Sequence, residues 1–283
     1  MKSFSALLVL LTFFSDSALS KIQTEWRAPA LANQVYMQTD EGLVIIELAP
    51  FIAPNHVTRF KNLVNQGYYD GLDFYRVIDG FVAQAGDLED KKPTQFNSPL
   101  KAEFTRPIPP MSAFQLEQKN DFMAPETGYL HEFPAGRDLQ SKEEWLLHCP
   151  GNVAMARDVN KDSATTHFYI VIGQATRHLD RNMSSFGQVI YGMPALQSLK
   201  RASVNEASGV IEQAEQRSKI HWIKIAENIA PEERINIEIQ KQDSDAFQKR
   251  LQSARGLESE FFHFKGNGNL DMCYYKPKTY ING

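Results

Sequence analysis

The chain has 283 residues, 42% of them hydrophobic and 23% charged, with 16 glycines and a formal net charge of −4. That is ordinary globular composition, with room for one sizeable core and a small second unit. The mild negative balance excludes bulk attraction to nucleic acid or anionic lipid, and no basic cluster offsets it.

Residues 1–20 read as a signal peptide. Lys2 supplies a positive start, Ala6 to Phe14 a short apolar core, and Ala18-Leu19-Ser20 a small-x-small cleavage site. The apolar run is shorter than the roughly 20 residues a membrane span needs. No Cys follows it to suggest a lipid anchor. The mature chain is therefore expected to start at Lys21 and to be periplasmic or otherwise exported, without membrane insertion. The two cysteines, Cys149 and Cys273, both lie beyond the signal. Export favours a bridge between them over two free buried thiols.

Val35–Thr39 and Leu43–Leu48 flank an Asp40-Glu-Gly42 turn and make a first hairpin. Pro54 opens a helix with the apolar stripe Val57, Phe60, Leu63 and Val64, stopped by Gly67. A second hairpin turns at Asp79-Gly80, between runs rich in Phe, Tyr, Val and Ile. It carries Arg76 among apolar neighbours and Gln84 between Ala83 and Ala85. A two-residue loop would put Arg76 and Gln84 on opposite faces. A three-residue loop with Gly80 left-handed pairs them on one face, which is the geometry predicted if both serve one site.

Residues 88–148 read as a long interruption: Lys101-Ala-Glu-Phe104, then Pro107, Pro109 and Pro110, then a polar, loop-like run to Asp138. Strands follow at 153–156, 166–172 and 186–190, a helix on Met193, Leu196 and Leu199, and a strand at 220–225. In the second of these strands Phe168, Ile170 and Ile172 share one face, and His167, Tyr169 and Val171 the other. Beyond Pro231, Ile235, Ile237 and Ile239 alternate with polar residues as a half-buried strand. Asp243 or Ser244 is placed to cap a helix carrying Phe247 and Leu251. About fifty residues is too few for an independent domain, so 227–283 is read as an extension packed on the main unit.

Phe74-Tyr-Arg-Val-Ile-Asp-Gly-Phe-Val-Ala-Gln-Ala-Gly-Asp87 resembles the signature strand pair of the cyclophilins, the peptidyl-prolyl cis–trans isomerases. Gly151–Ala156, Asp162–Ile170, Leu179-Asp180 and Phe186–Val189 resemble further blocks in the family's order. The resemblance covers roughly residues 34–226. It implies a mainly β fold, a closed eight-stranded antiparallel β-barrel with two plugging helices. Residues 21–226 would be the isomerase domain, with the 88–148 loop as an insertion: a decorated surface loop or a flap extending the substrate groove.

The implied activity is acceleration of X–Pro rotation in exported, proline-containing polypeptide clients, with no cofactor and no covalent intermediate. A monomer is expected. Arg76 matches the catalytic arginine and Gln84 the glutamine that orients it. Phe81 and Tyr169 match positions lining the proline pocket, Leu179 its wall, and Ala156-Arg157 the backbone-binding segment. The chain departs from the pattern at Val82 (often Met), Arg157 (often Asn), His167 (usually Gln), Tyr169 (Phe), His178 (commonly Trp) and Met183 (near a usual His). Loss of the Trp at His178 implies weak binding of cyclosporin-like ligands.

The seven histidines show no metal-ligand spacing, and His131-Glu132 fails the HExxH pattern because position 135 is Ala. No nucleophile-elbow, P-loop or dinucleotide fingerprint occurs. The alternative to an enzyme is a proline-segment-binding chaperone or scaffold with vestigial isomerase activity.

Overall fold

In the computed structural model, residues 25–174 and 176–282 are described. The signal-peptide reading of residues 1–20 lies outside them. A short strand β1 (Trp26–Arg27) precedes β2 (Gln34–Thr39), β3 (Gly42–Leu48), helix α1 (Pro54–Asn65), β4 (Asp73–Val77) and β5 (Val82–Gly86). Next come β6 (Arg106–Pro107), β7 (Phe114–Lys119), β8 (Glu126–Leu130), β9 (Phe133–Asp138) and β10 (Glu143–Leu146). The chain continues through β11 (Asn152–Met155), β12 (Phe168–Val171), β13 (Ser185–Tyr191), helix α2 (Met193–Gln197) and β14 (Ser218–Ile225). It ends with β15 (Asn236–Gln240), helix α3 (Asp245–Gly256) and β16 (Thr279–Asn282).

Eight strands close into an antiparallel barrel in the order β11-β12-β5-β4-β14-β2-β3-β13, as the family resemblance implies. Alternation sends Val35, Met37, Phe74, Phe168 and Ile170 inward, where they share one core with Leu196 and Leu199 of the α2 region. Helix α1 adds Phe60, whose ring lies 5.0–5.3 Å from those of Tyr69, Phe168 and Phe186. Its N-cap, Ala53, offers no side-chain acceptor. The carboxylate of Glu103 takes that place, accepting from the backbone N–H groups of Asn55 (3.1 Å) and His56 (3.0 Å) and from the His56 ring. Burial works against the ionised Glu103, but these hydrogen bonds outweigh it and hold the group below the usual carboxylate range.

Residues 106–146 do not form the expected loop. They make an antiparallel five-stranded sheet in the order β6-β10-β9-β8-β7. Two residues that ordinarily break strands hide it in the sequence. Pro134 sits inside β9, and Gly136 stands where a Cβ would come within 2.6 Å of the Trp145 ring. The glycine is there to admit a fully buried indole.

The C-terminal segment packs on both bodies. β15 pairs with β1 and β16, and its Ile237 and Ile239 cover Tyr36, Ile45 and Ile190 on the barrel's outside. Ser244 caps α3 by accepting from the Phe247 N–H at 3.3 Å. Phe247 and Leu251 of that helix bury Tyr129 and Trp145 of the five-stranded sheet and Leu147 just beyond it. Cys149 and Cys273 form a disulfide inside that cluster, closing a separation of 124 residues. Arg27 of β1 adds an ionic tie, pairing with Glu47 of β3 at 2.7 Å and with Glu132 in the β8–β9 turn.

A cross-link over so long a loop restricts the unfolded chain and is worth about 3–5 kcal/mol. Replacing both cysteines by Ser is expected to lower unfolding stability by about that amount in a urea titration, with near-native activity below the transition. An unchanged midpoint would show that the bridge adds nothing to packing already present.

Candidate active site

The second hairpin has the three-residue loop. Phe81 N–H donates to Ile78 O (3.1 Å), Ile78 N–H to Val82 O (3.0 Å), and Gly80 is left-handed at φ +69°. Arg76 stands opposite Gln84. Between Asp73 and Arg76 the register slips by one residue. This bulge sends Phe74 and Val77 into the core and leaves both Tyr75 and Arg76 on the outer face.

The bulge assembles a chain of hydrogen bonds along that face. Arg76 Nη1 donates to Gln84 Oε1 at 3.1 Å, and Arg76 Nε to Ser208 O at 2.8 Å. With those nitrogens engaged, Nη2 makes no hydrogen bond among the described residues. Gln84 Nε2 donates to the Tyr75 hydroxyl, which in turn donates to His167 Nδ1 at 2.9 Å. On its other side the His167 ring faces Asp90, with Nε2 3.4 Å from Oδ1. Burial pushes the Tyr75 hydroxyl up to about 12, against the opposing hydrogen bond from Gln84. It remains a donor across the working range of pH.

Arg76 borders a depression of about 150 Å³, lined by Phe81, Val82, Gln84, Ala156, Arg157, Tyr169, Leu179 and Met183. Phe81 is fixed through its carbonyl, which accepts from Ile172 N–H (2.9 Å) and Gly173 N–H (3.1 Å). Tyr169, on the outward face of β12, forms a wall with Val82 and Ala154. Its extra hydroxyl does not enter the depression unsatisfied: it bonds His148 Nε2 at 3.0 Å, while His148 Nδ1 faces Asp180 Oδ1 at 3.3 Å. Arg157 turns its guanidinium onto the carbonyls of Asn182 (2.9 Å) and Asp158 (2.6 Å), tying the 156–158 loop to the Met183 loop.

Of the residues predicted for the site, two stand outside the depression itself. His167 lines an adjoining polar hollow of about 240 Å³ that shares Gln84, Ala156 and Arg157 with it. His178 is exposed and lies flat against the Phe81 ring, 5.8 Å between centroids at 8°.

Tyr75 is the residue that sequence reasoning missed. Strict alternation puts it opposite Arg76, in the core, and only the bulge turns it outward. A larger cavity of about 540 Å³ lies between the barrel and the C-terminal segment. Its cation, Lys276, already donates to Pro150 O at 2.7 Å, and burial brings its ammonium down to about 8. It lacks the pairing of a fixed guanidinium with an aromatic slot. No group of His, Cys, Asp and Glu able to hold a metal ion occurs among the described residues. Neither is any described helix long and apolar enough to cross a membrane.

The closed barrel thus carries on its outer wall a small aromatic slot, edged by a cation and flanked by a polar hollow. The family model for cyclophilin type peptidyl-prolyl cis-trans isomerase/CLD matches residues 34–225, and the chain belongs to that family. It is 31% identical over 178 residues to a probable peptidyl-prolyl cis-trans isomerase of Brucella suis, covering 63% of this chain and 76% of that one. It is 28% identical to peptidyl-prolyl cis-trans isomerase A of Dickeya dadantii, covering 58% and 67%. The crystal structure of a cyclophilin from Hirschia baltica superposes with a TM-score of 0.73 at 26% identity, over 96% of this chain and 98% of that one. The protein is thus a peptidyl-prolyl cis–trans isomerase.

Tyr75→Phe removes the acceptor that holds the Gln84 amide. The loss of about 1 kcal/mol of orientation is expected to lower kcat/KM roughly 3–10-fold while the melting temperature moves only a few degrees. Unchanged kinetics in an exchange assay would show that Gln84 is oriented without it.

Proposed function

We propose that Arg76 and Gln84 carry the isomerisation of X–Pro bonds at this depression. Rotation breaks amide conjugation against a barrier of about 18–20 kcal/mol, and the prolyl nitrogen gains a lone pair as it pyramidalises. Guanidinium is a planar cation with a fork of N–H donors, and Arg76 presents Nη2 toward that nitrogen. The contact strengthens only in the twisted state, which is the condition for lowering a barrier rather than tightening ground-state binding. Phe81, Val82, Tyr169, Leu179 and Met183 receive the pyrrolidine ring, while the Ala156-Arg157 backbone and Gln84 hold the neighbouring peptide groups. A reduction of about 5–7 kcal/mol corresponds to roughly 10⁴–10⁵-fold acceleration.

The observation that carries this reading is the pairing of Arg76 with Gln84 on one face, at the rim of an aromatic slot. Exported polypeptides are the proposed clients. The signal-like residues 1–20 and a disulfide suited to an oxidising compartment support that assignment.

Arg76→Ala removes the one donor that meets developing charge, and such losses cost about 10²–10³-fold in turnover. NMR exchange on an Ala-Pro peptide is expected to show a loss of that size with an unchanged fold. Equal rates for mutant and wild type would overturn the assignment.

A further inference from the structure

The turn between β7 and β8 carries Asp121 and Phe122 out of the five-stranded sheet to the 3₁₀ turn Arg177–Leu179, the segment that walls the depression. The junction is ionic and buried. Arg177 Nη2 donates to Asp121 Oδ1 at 2.7 Å and Arg177 Nε to Asp180 Oδ2 at 2.5 Å. All three side chains are at most 5% exposed. Asp121 Oδ1 also accepts from the Met123 N–H at 3.0 Å, which fixes the tip's own backbone. From Asp180 the chain of hydrogen bonds continues through His148 to the Tyr169 hydroxyl behind the proline slot. The tip is therefore rigidly referenced to the depression.

On this anchored tip, Phe122 is 76% exposed. One face of its ring covers the Arg177 guanidinium, 4.9 Å from the centroid, and the rest is bare. The residue after Arg177 is His178, stacked on Phe81, and the next is Leu179, in the wall of the depression. Phe122 thus covers the guanidinium of the residue that immediately precedes His178 and Leu179, in the segment that walls the depression. With Arg76 at the imide nitrogen, the polar hollow that shares Gln84, Ala156 and Arg157 with the depression is assigned to the residues before the proline. Those after it leave over Leu179 and His178.

We propose that Phe122 is a specificity-determining residue, taking an aromatic side chain one or two positions after the client's proline. This rests on the depression being the proline site. The occupant follows from the surface: the ring is already oriented by the buried ion pair beneath it, so a second ring docks with little ordering cost. Aromatic contacts of this kind are worth about 2–12-fold in affinity. The five-stranded sheet then acts as a built support for one side chain of the groove, in place of a mobile flap.

The test is NMR exchange on Ala-Ala-Pro-Phe-Phe and Ala-Ala-Pro-Gly-Gly with the full chain. Wild type is expected to favour the Phe peptide several-fold in kcat/KM, mainly through KM. Phe122→Ala should abolish that preference without slowing the Gly peptide, and Phe122→Tyr should restore it. A preference unaltered in Phe122→Ala overturns the proposal. So does a wild type with no preference, or a Phe122→Ala variant whose only change is loss of self-association in sedimentation. Arg76→Ala separates the two readings: if it turns over both peptides like wild type, the site assignment itself has failed.

Discussion

Between Asp73 and Arg76, β4 carries one residue more than the β5 stretch it pairs with. That extra residue lets Phe74 and Val77 enter the core while Tyr75 and Arg76 both remain outside. From it follow the bond from Arg76 to Gln84, the bond from Gln84 to Tyr75, and the orientation of His167. A guanidinium on a long aliphatic stem would otherwise sample solvent. Two of its nitrogens are instead committed to fixed acceptors, Gln84 Oε1 and Ser208 O. Preorganisation of this kind suits a reaction with no covalent chemistry to perform, since the protein has only to be complementary to a twisted imide.

The parts of the chain outside the barrel bear on the same site. His148 touches the Tyr169 hydroxyl, and the next residue, Cys149, is covalently joined to Cys273 in the C-terminal segment. Arg177 and Asp180 link the wall of the depression to the five-stranded sheet through Asp121. The hydroxyl of Tyr169 thus has a buried partner in His148, while its ring packs with Val82, Ala154 and Val171.

Much of this was legible in the sequence, and the exceptions are physical. The Asp79-Gly80 turn allows two loop lengths, and the requirement that Arg76 and Gln84 serve one site selects the three-residue one that the structure has. Spacing alone narrows the cap to Asp243 or Ser244 and groups Phe168 with Ile170 on one face of β12; the structure selects Ser244 and turns that face inward. The family resemblance supplied the closed barrel, which periodicity does not distinguish from a sandwich. Residues 106–146 defeated pattern reading because Pro134 and Gly136 stand inside a strand, where burial of Trp145 overrides local propensity. Tyr75 was missed because a bulge shifts alternation by one residue, and no single residue type announces it. His178 took a Trp position in the family pattern, yet its flat packing on Phe81 is a tertiary fact.

The most direct test is a crystal structure with a bound Ala-Ala-Pro-Ala peptide. The pyrrolidine ring is predicted to lie among Phe81, Tyr169, Leu179 and Met183, with Arg76 Nη2 about 3–3.5 Å from the prolyl nitrogen. A peptide seated instead in the cavity beside Lys276, or an Arg76 side chain turned away from the imide, would contradict the account.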